Sequence, residues 1–284
     1  MPQHFVASPQ WEWYIVWYFF LGGLAGGAYL LGTILRLLGD ARDARVARLA
    51  FLVALPALAI CPMLLTLDLG RPLRFWHMLV DSRTLGLNFK YWSPMSVGVW
   101  ILVIFSMFAL VSFLEAALGG DRFGYLRGTF GRAFMIVGAF FGVFLAGYTG
   151  VLLSVSNQPI WSDTWALGGL FLASGLSVAA ATLALLTRLS AAEPSTETKL
   201  SRVDRYFIVL ELVLLVVFFV SLGAMGGRFM EPRWLLLWAL VLVGTVAPLA
   251  LRSAHRGPVA MLASCLVLIG GLALRIVVIF SAQS

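Results

Sequence analysis

Only 12% of the 284 residues carry a charge, about half the ~25% of an ordinary soluble domain, and this scarcity excludes a water-soluble globule. Cysteine is nearly absent. Cys61 and Cys265 each fall inside an apolar run with no CxxC pair, which rules out a disulfide framework or a thiolate cluster site. Histidine is as rare, and His4, His77 and His255 all lie outside the apolar runs. A b-type haem in a bilayer takes two histidines from facing helices, so none is expected in this chain, and no ligand set for a metal is present either. Alternating ten-residue strands, the mark of a membrane barrel, are missing as well. Basic residues outnumber acidic ones by 20 to 13, but they sit between apolar runs, where they set topology and do not bind nucleic acid.

What fills the chain is grease: 61% of residues are hydrophobic. Uninterrupted apolar runs predict eight spans, near 12–38, 46–67, 92–117, 131–153, 163–188, 204–223, 234–251 and 258–281. The first has no basic residue before it, is too long for a signal-peptide core and lacks a small-residue cleavage pattern, so it is expected to remain as a span. Thirteen of the 20 Lys and Arg fall in the loops after odd-numbered spans and six in the opposite loops. By the positive-inside rule both termini then face the periplasm. LAGGAYLL at Leu24–Leu31 echoes LASGLSVA at Leu172–Ala179 four spans later. The expected fold is therefore an all-α integral membrane protein built as two four-helix bundles, 12–153 and 163–281. Residues 188–205 read as a polar cytoplasmic linker.

The connection 68–96 holds the densest polar sequence. Asp68, Arg71, Arg74, His77, Asp81, Arg83 and Lys90 alternate with Phe75, Trp76, Phe89, Tyr91 and Trp92. An interfacial belt accounts for the aromatics and some of the arginines, but not for an Asp and a His in one loop. Gly22, Gly23, Gly26 and Gly27 form two overlapping GxxxG spacings, which fit close helix packing and also leave space for a flat ring. Glu211 and Arg275 are the two charges well inside spans, and such charges are functional candidates by default. With Glu211 seven residues into its span and Arg275 about seventeen into its own, their depths differ by roughly 15 Å, and no direct pairing is expected.

LGGLAGGAYL, LDLGRPLRFWHML, KYWSPMSVGVW, GYTGVLLSVSNQPIW and LRIVVIFSAQ together resemble the NrfD family, which includes the membrane subunit of polysulfide reductase. The resemblance extends over nearly the whole chain. It implies an eight-span anchor that reacts with menaquinone or ubiquinone beneath a ferredoxin-like four-cluster iron–sulfur subunit, which in many members leads to a molybdopterin catalytic subunit. Relatives serve nitrite, polysulfide, tetrathionate and formate systems and alternative complex III. Tyr148 matches the tyrosine that hydrogen-bonds the quinone head in polysulfide reductase, while Tyr18 stands where that protein has a histidine and Ile15 where it has an asparagine.

Depth supports a site at the outer level. Tyr18 lies about 9 Å below the outer end of span one and Tyr148 about 8 Å below that of span four, while Asp68 closes span two and Trp92 opens span three. A quinone needs an apolar slot, hydrogen-bond donors for its carbonyls and a group that exchanges protons. Tyr148 and Tyr18 are expected to supply the donors, Asp68 and His77 to exchange protons with outer water, and Gly23 and Gly26 to make room. Arg71, Arg74, Arg83 and Lys90 are candidates for docking the iron–sulfur subunit. The function that fits best is a membrane anchor that is not catalytic on its own. Two alternatives stay open: a proton-translocating module as in alternative complex III, with Glu211 and Arg275 as relay groups, and a secondary transporter, although the paired interrupted helices of that class are lacking.

Overall fold

The computed structural model describes residues 10–82, 85–119, 128–156, 158–190, 194–251 and 258–283. In a bilayer every main-chain polar group must be satisfied internally, so each long apolar run closes into a helix. Among the described residues eight helices are long and apolar enough to cross a membrane: α1 (Trp13–Leu38), α2 (Ala44–Asp68), α3 (Pro94–Leu118), α4 (Thr129–Ser154), α5 (Leu167–Leu189), α6 (Pro194–Leu222), α7 (Pro232–Leu251) and α8 (Pro258–Gln283). The only β-pairing among the described residues is one isolated antiparallel bridge, Val80 to Leu87, in the connection between α2 and α3.

Local chemistry sets the helix ends. Ser93 accepts the Ser96 N–H and is followed by Pro94 at the first helical position, where a missing N–H costs nothing. At the other end of α3, the Arg48 guanidinium donates to the carbonyls of Ala116 and Ala117, and Glu115 is bridged by Arg36 of α1. Cations there satisfy the last carbonyls of the helix and complement its dipole.

Helices α1 and α5 form the centre. The apolar windows of α1 and α5 are 83% and 72% buried, against 28% for α3, α6 and α7, which therefore present most of their surface to lipid. Helix α1 packs against α2, α4, α5 and α8, and α5 against α1, α4, α6 and α8. Glycine allows this closeness. A Cβ on Gly26 would strike the Gly142 carbonyl of α4, and one on Gly27 would meet Gly175 and Ala179 of α5. The echoed segments Leu24–Leu31 and Leu172–Ala179 are thus the surfaces by which α1 and α5 touch.

One boundary differs from expectation. Helix α6 begins at Pro194, ten residues before the expected 204, so most of the supposed linker is helical. Its polar residues hide the helix because partners on other elements satisfy them. Thr196 donates to the buried carboxylate of Asp43 at 2.6 Å, Lys199 bridges Asp40 and Asp43, and Glu197 pairs with Arg188.

Candidate functional site

Where α1 and α3 begin and α2 and α4 end, the helices line a half-open cavity of about 260 Å³. Its walls are Trp11, Ile15 and Tyr18 from the start of the chain, Leu65, Asp68 and Leu69 from the end of α2, Met78 from the connection, Met95, Gly98 and Val99 from α3, and Tyr148 and Leu152 from α4. All but Tyr18, Asp68 and Tyr148 are apolar side chains or glycine. A cavity of this kind holds a flat apolar molecule and offers a few fixed polar contacts.

The two tyrosines are held differently. The Tyr148 hydroxyl donates to the Pro94 carbonyl and lies against Gly98, so it is built into the first turn of α3. A Cβ at position 98 would collide with the Tyr148 ring, so only glycine fits there. The hydroxyl oxygen, which donates its proton to Pro94, keeps a free lone pair for a ligand. Tyr18 is 2% exposed, lines the cavity, and its hydroxyl makes no hydrogen bond among the described residues. A buried hydroxyl with no partner is costly, so this one is available to a bound molecule. The Glu12 main-chain amide and its exposed carboxylate both lie near the Asp68 carboxylate. A carboxylate inside the cavity therefore stands next to one at the water.

Other candidate residues lie elsewhere. His77 stacks on Trp76 with ring centroids 3.8 Å apart and bonds the Arg74 carbonyl through Nδ1, while Trp92 is 68% exposed, and neither lines the cavity. Gly23 meets Gly175 and the Arg275 guanidinium, and Gly26 meets Gly142, so both sit at helix contacts. Arg71, Arg74 and Lys90 are exposed on the connection, among exposed Leu73, Phe75, Leu87 and Tyr91. Asn88 holds this connection in shape: it donates to the His77 carbonyl, and its own carbonyl accepts from Ser96 and Trp100. Arg83 lies outside the described residues.

Glu211 and Arg275 correct the depth estimate. Each lies seventeen residues into its helix once α6 starts at Pro194, so they stand at one level. Ser174 of α5 lies between them: it accepts from Arg275 at 3.1 Å and sits beside the Glu211 carboxyl. Arg275 also donates to the carbonyls of Gly271 and Phe171 and lies over the rings of Phe20 and Phe171. Glu211 Oε1 and Arg275 Nε have no partner among the described residues. Toward the opposite end of the bundle, Ser177 donates to buried Asp204.

Sequence reasoning missed Trp11, Met78 and Met95 as walls. Trp11 and Met95 lie at helix starts and Met78 ends the short 3-10 segment Pro72–Met78 of the connection, where apolar periodicity gives no direction.

Comparison with known proteins agrees with this architecture. The family model described as "Polysulphide reductase, NrfD" matches residues 2–284. Protein NrfD of Escherichia coli is 27% identical over 97% of this chain and 96% of its own length, and a polysulfide reductase polypeptide of Wolinella succinogenes is 28% identical over 96% and 94%. A shorter match joins 37% of this chain to 22% of a selenate reductase subunit of Mesobacillus selenatarsenatis, at 30% identity. With eight apolar helices and a match along its whole length, this chain is a multi-pass protein of the inner membrane and belongs to the NrfD family.

Proposed function

We propose that this chain is the membrane anchor of a respiratory reductase or oxidoreductase complex and that its cavity binds a membrane quinone, menaquinone or ubiquinone, in either redox form. The observation that carries the proposal is an apolar cavity holding one unpartnered buried hydroxyl, one partly satisfied hydroxyl and one carboxylate. A bound quinone supplies the two-electron, two-proton chemistry. Tyr18 donates to a carbonyl oxygen, the free lone pair of Tyr148 receives a quinol hydroxyl, and Asp68 passes protons toward Glu12 and the water beyond. The polysulfide and selenate reductase proteins among the relatives support a place in a reductase assembly. Tyr18→Phe is expected to lower quinone-coupled turnover about ten- to a hundredfold, the scale of one buried hydrogen bond to the reacting group. Tyr148→Phe is expected to cost less, since its hydroxyl also serves α3. Steady-state kinetics of the assembled complex measures both, and unchanged turnover in Tyr18→Phe would remove the assignment.

Electrons enter or leave through a ferredoxin-like four-cluster iron–sulfur subunit on the exposed connection 68–96, with a molybdopterin catalytic subunit beyond it. In this arrangement two four-helix bundles stand side by side with both termini in the periplasm, as the 13 to 6 Lys and Arg asymmetry predicts. Support comes from exposed cations and apolar side chains on a connection that a plain hairpin would not need. The double change Arg71→Glu and Arg74→Glu is expected to strip the iron–sulfur subunit from the purified complex and to leave this chain in the membrane. A fully assembled complex in that variant would exclude these two residues from docking.

A second role is favoured by one observation. Asp204 with Ser177, and Glu211 with Ser174 and Arg275, form buried polar steps between the cavity level and the opposite end of the bundle. Such steps suit a proton relay, as in a proton-translocating module, and equally a set of structural pairs in lipid.

A further inference from the structure

The last turn of α8 lies outside the cavity, yet it fixes one wall of it. Gln283 accepts the Trp11 N–H at 2.7 Å through Oε1, and its Nε2 donates to the Trp11 carbonyl at 3.3 Å and to the Ile279 carbonyl at 3.2 Å. One side chain thus holds both main-chain groups of a residue 272 positions away. The Trp11 ring stacks on Trp161 at 5.0 Å, and fully buried Trp161 is itself fastened to α8 by a 2.8 Å bond from its indole N–H to the Val278 carbonyl. Gln158 adds a 2.7 Å bond to the Ala282 carbonyl. Trp11 and Asp68 line the same cavity, so α8 clamps the residue that carries the indole wall.

We propose that Gln283 is a positioning residue for the cavity: by clasping the Trp11 main chain it sets the indole against the bound ring. This rests on the quinone reading of the cavity. Without the clasp, Trp11 keeps its ring contacts with Trp161 and Phe19, and Glu12 keeps the bond from the Ile15 N–H to its carbonyl but adds no side-chain cap. Binding of the ring weakens, whereas the reacting groups, once the ring is seated, are unchanged.

The test uses the whole purified complex and the quinone-site probe 2-heptyl-4-hydroxyquinoline N-oxide. Gln283→Ala is expected to raise the probe's Kd and the KM for quinol about tenfold with kcat within about twofold, the pattern of lost binding without lost chemistry. In a Trp11→Ala background the same change is expected to add little, because the wall it positions is gone, whereas a merely structural role would give independent, additive effects. If Gln283→Ala does not assemble, Gln283→Glu replaces it: this variant keeps the acceptor for the Trp11 N–H, loses the donor and is expected to raise Kd about threefold. Wild-type affinity in the Gln283 variants, alongside weakened binding in Tyr18→Phe, would overturn the positioning role and leave the cavity reading intact. Unchanged probe affinity in Tyr18→Phe and the Gln283 variants alike would overturn both.

Discussion

Asp68→Asn is expected to lower quinone-coupled turnover at least about a hundredfold, since general acid–base groups contribute on the order of 10² to 10⁴. Among the described residues Asp68 is the only carboxylate lining the cavity, and the two tyrosines beside it are weak acids. The asparagine side chain keeps the size of the group and can still accept a hydrogen bond, so assembly should survive. It cannot carry a proton. The expected signature is a large fall in kcat with affinity for a quinone-site inhibitor within a few-fold of wild type, measured on the purified complex. Turnover within about threefold of wild type would show that protons leave by another route.

Arg275→Ala is expected to be the most damaging single change to stability. The guanidinium is fully buried, bonds Gly271, Ser174 and Phe171, and acts electrostatically on buried Glu211. Its removal empties a buried site and takes that cation away from the carboxyl, and large-to-small changes at buried positions cost about 2–5 kcal/mol. Denaturant titration of the detergent-solubilised protein should show that loss, and the double variant Arg275→Ala with Glu211→Ala should recover part of it because the orphaned group is gone. Stability equal to wild type in Arg275→Ala would discard the pairing. Glu211→Gln separates the two roles of this group: it keeps a hydrogen-bonding side chain but carries no proton. A structural pair predicts intact quinone turnover, and a relay predicts a large loss in a normally assembled complex.

The eight spans were legible because hydrophobic length is a one-dimensional quantity, and about twenty apolar residues in a row admit few other folds. Depth is nearly as linear. Counting about 1.5 Å per residue from the ends of α1, α2 and α4 sufficed to put Tyr18, Asp68 and Tyr148 at one level, and the structure gathers these three around one cavity. The same counting misplaced Glu211 because the start of α6 carries Glu197, Lys199, Arg202 and Asp204, which look like a loop until Asp43, Arg188 and Ser177 are seen to pair with three of them. Polar residues conceal a helix whenever their partners lie on other elements.

Tertiary structure alone decided which way each side chain points at that level. His77 and Trp92 share the connection with Met78, yet Met78 enters the cavity and the other two do not. Gly23, Gly26 and Gly98 all lack a side chain, but of the three Gly98 alone borders the cavity, because the first two are pressed against α5 and α4. Composition and spacing also could not join Trp11 to Gln283 or Glu211 to Arg275. The sequence by itself determined the number, length and depth of the helices, which depend on the summed cost of moving residues into lipid. Rotation about each helix axis and the choice of neighbours depend on packing between elements far apart in the chain, and only the folded bundle fixes them.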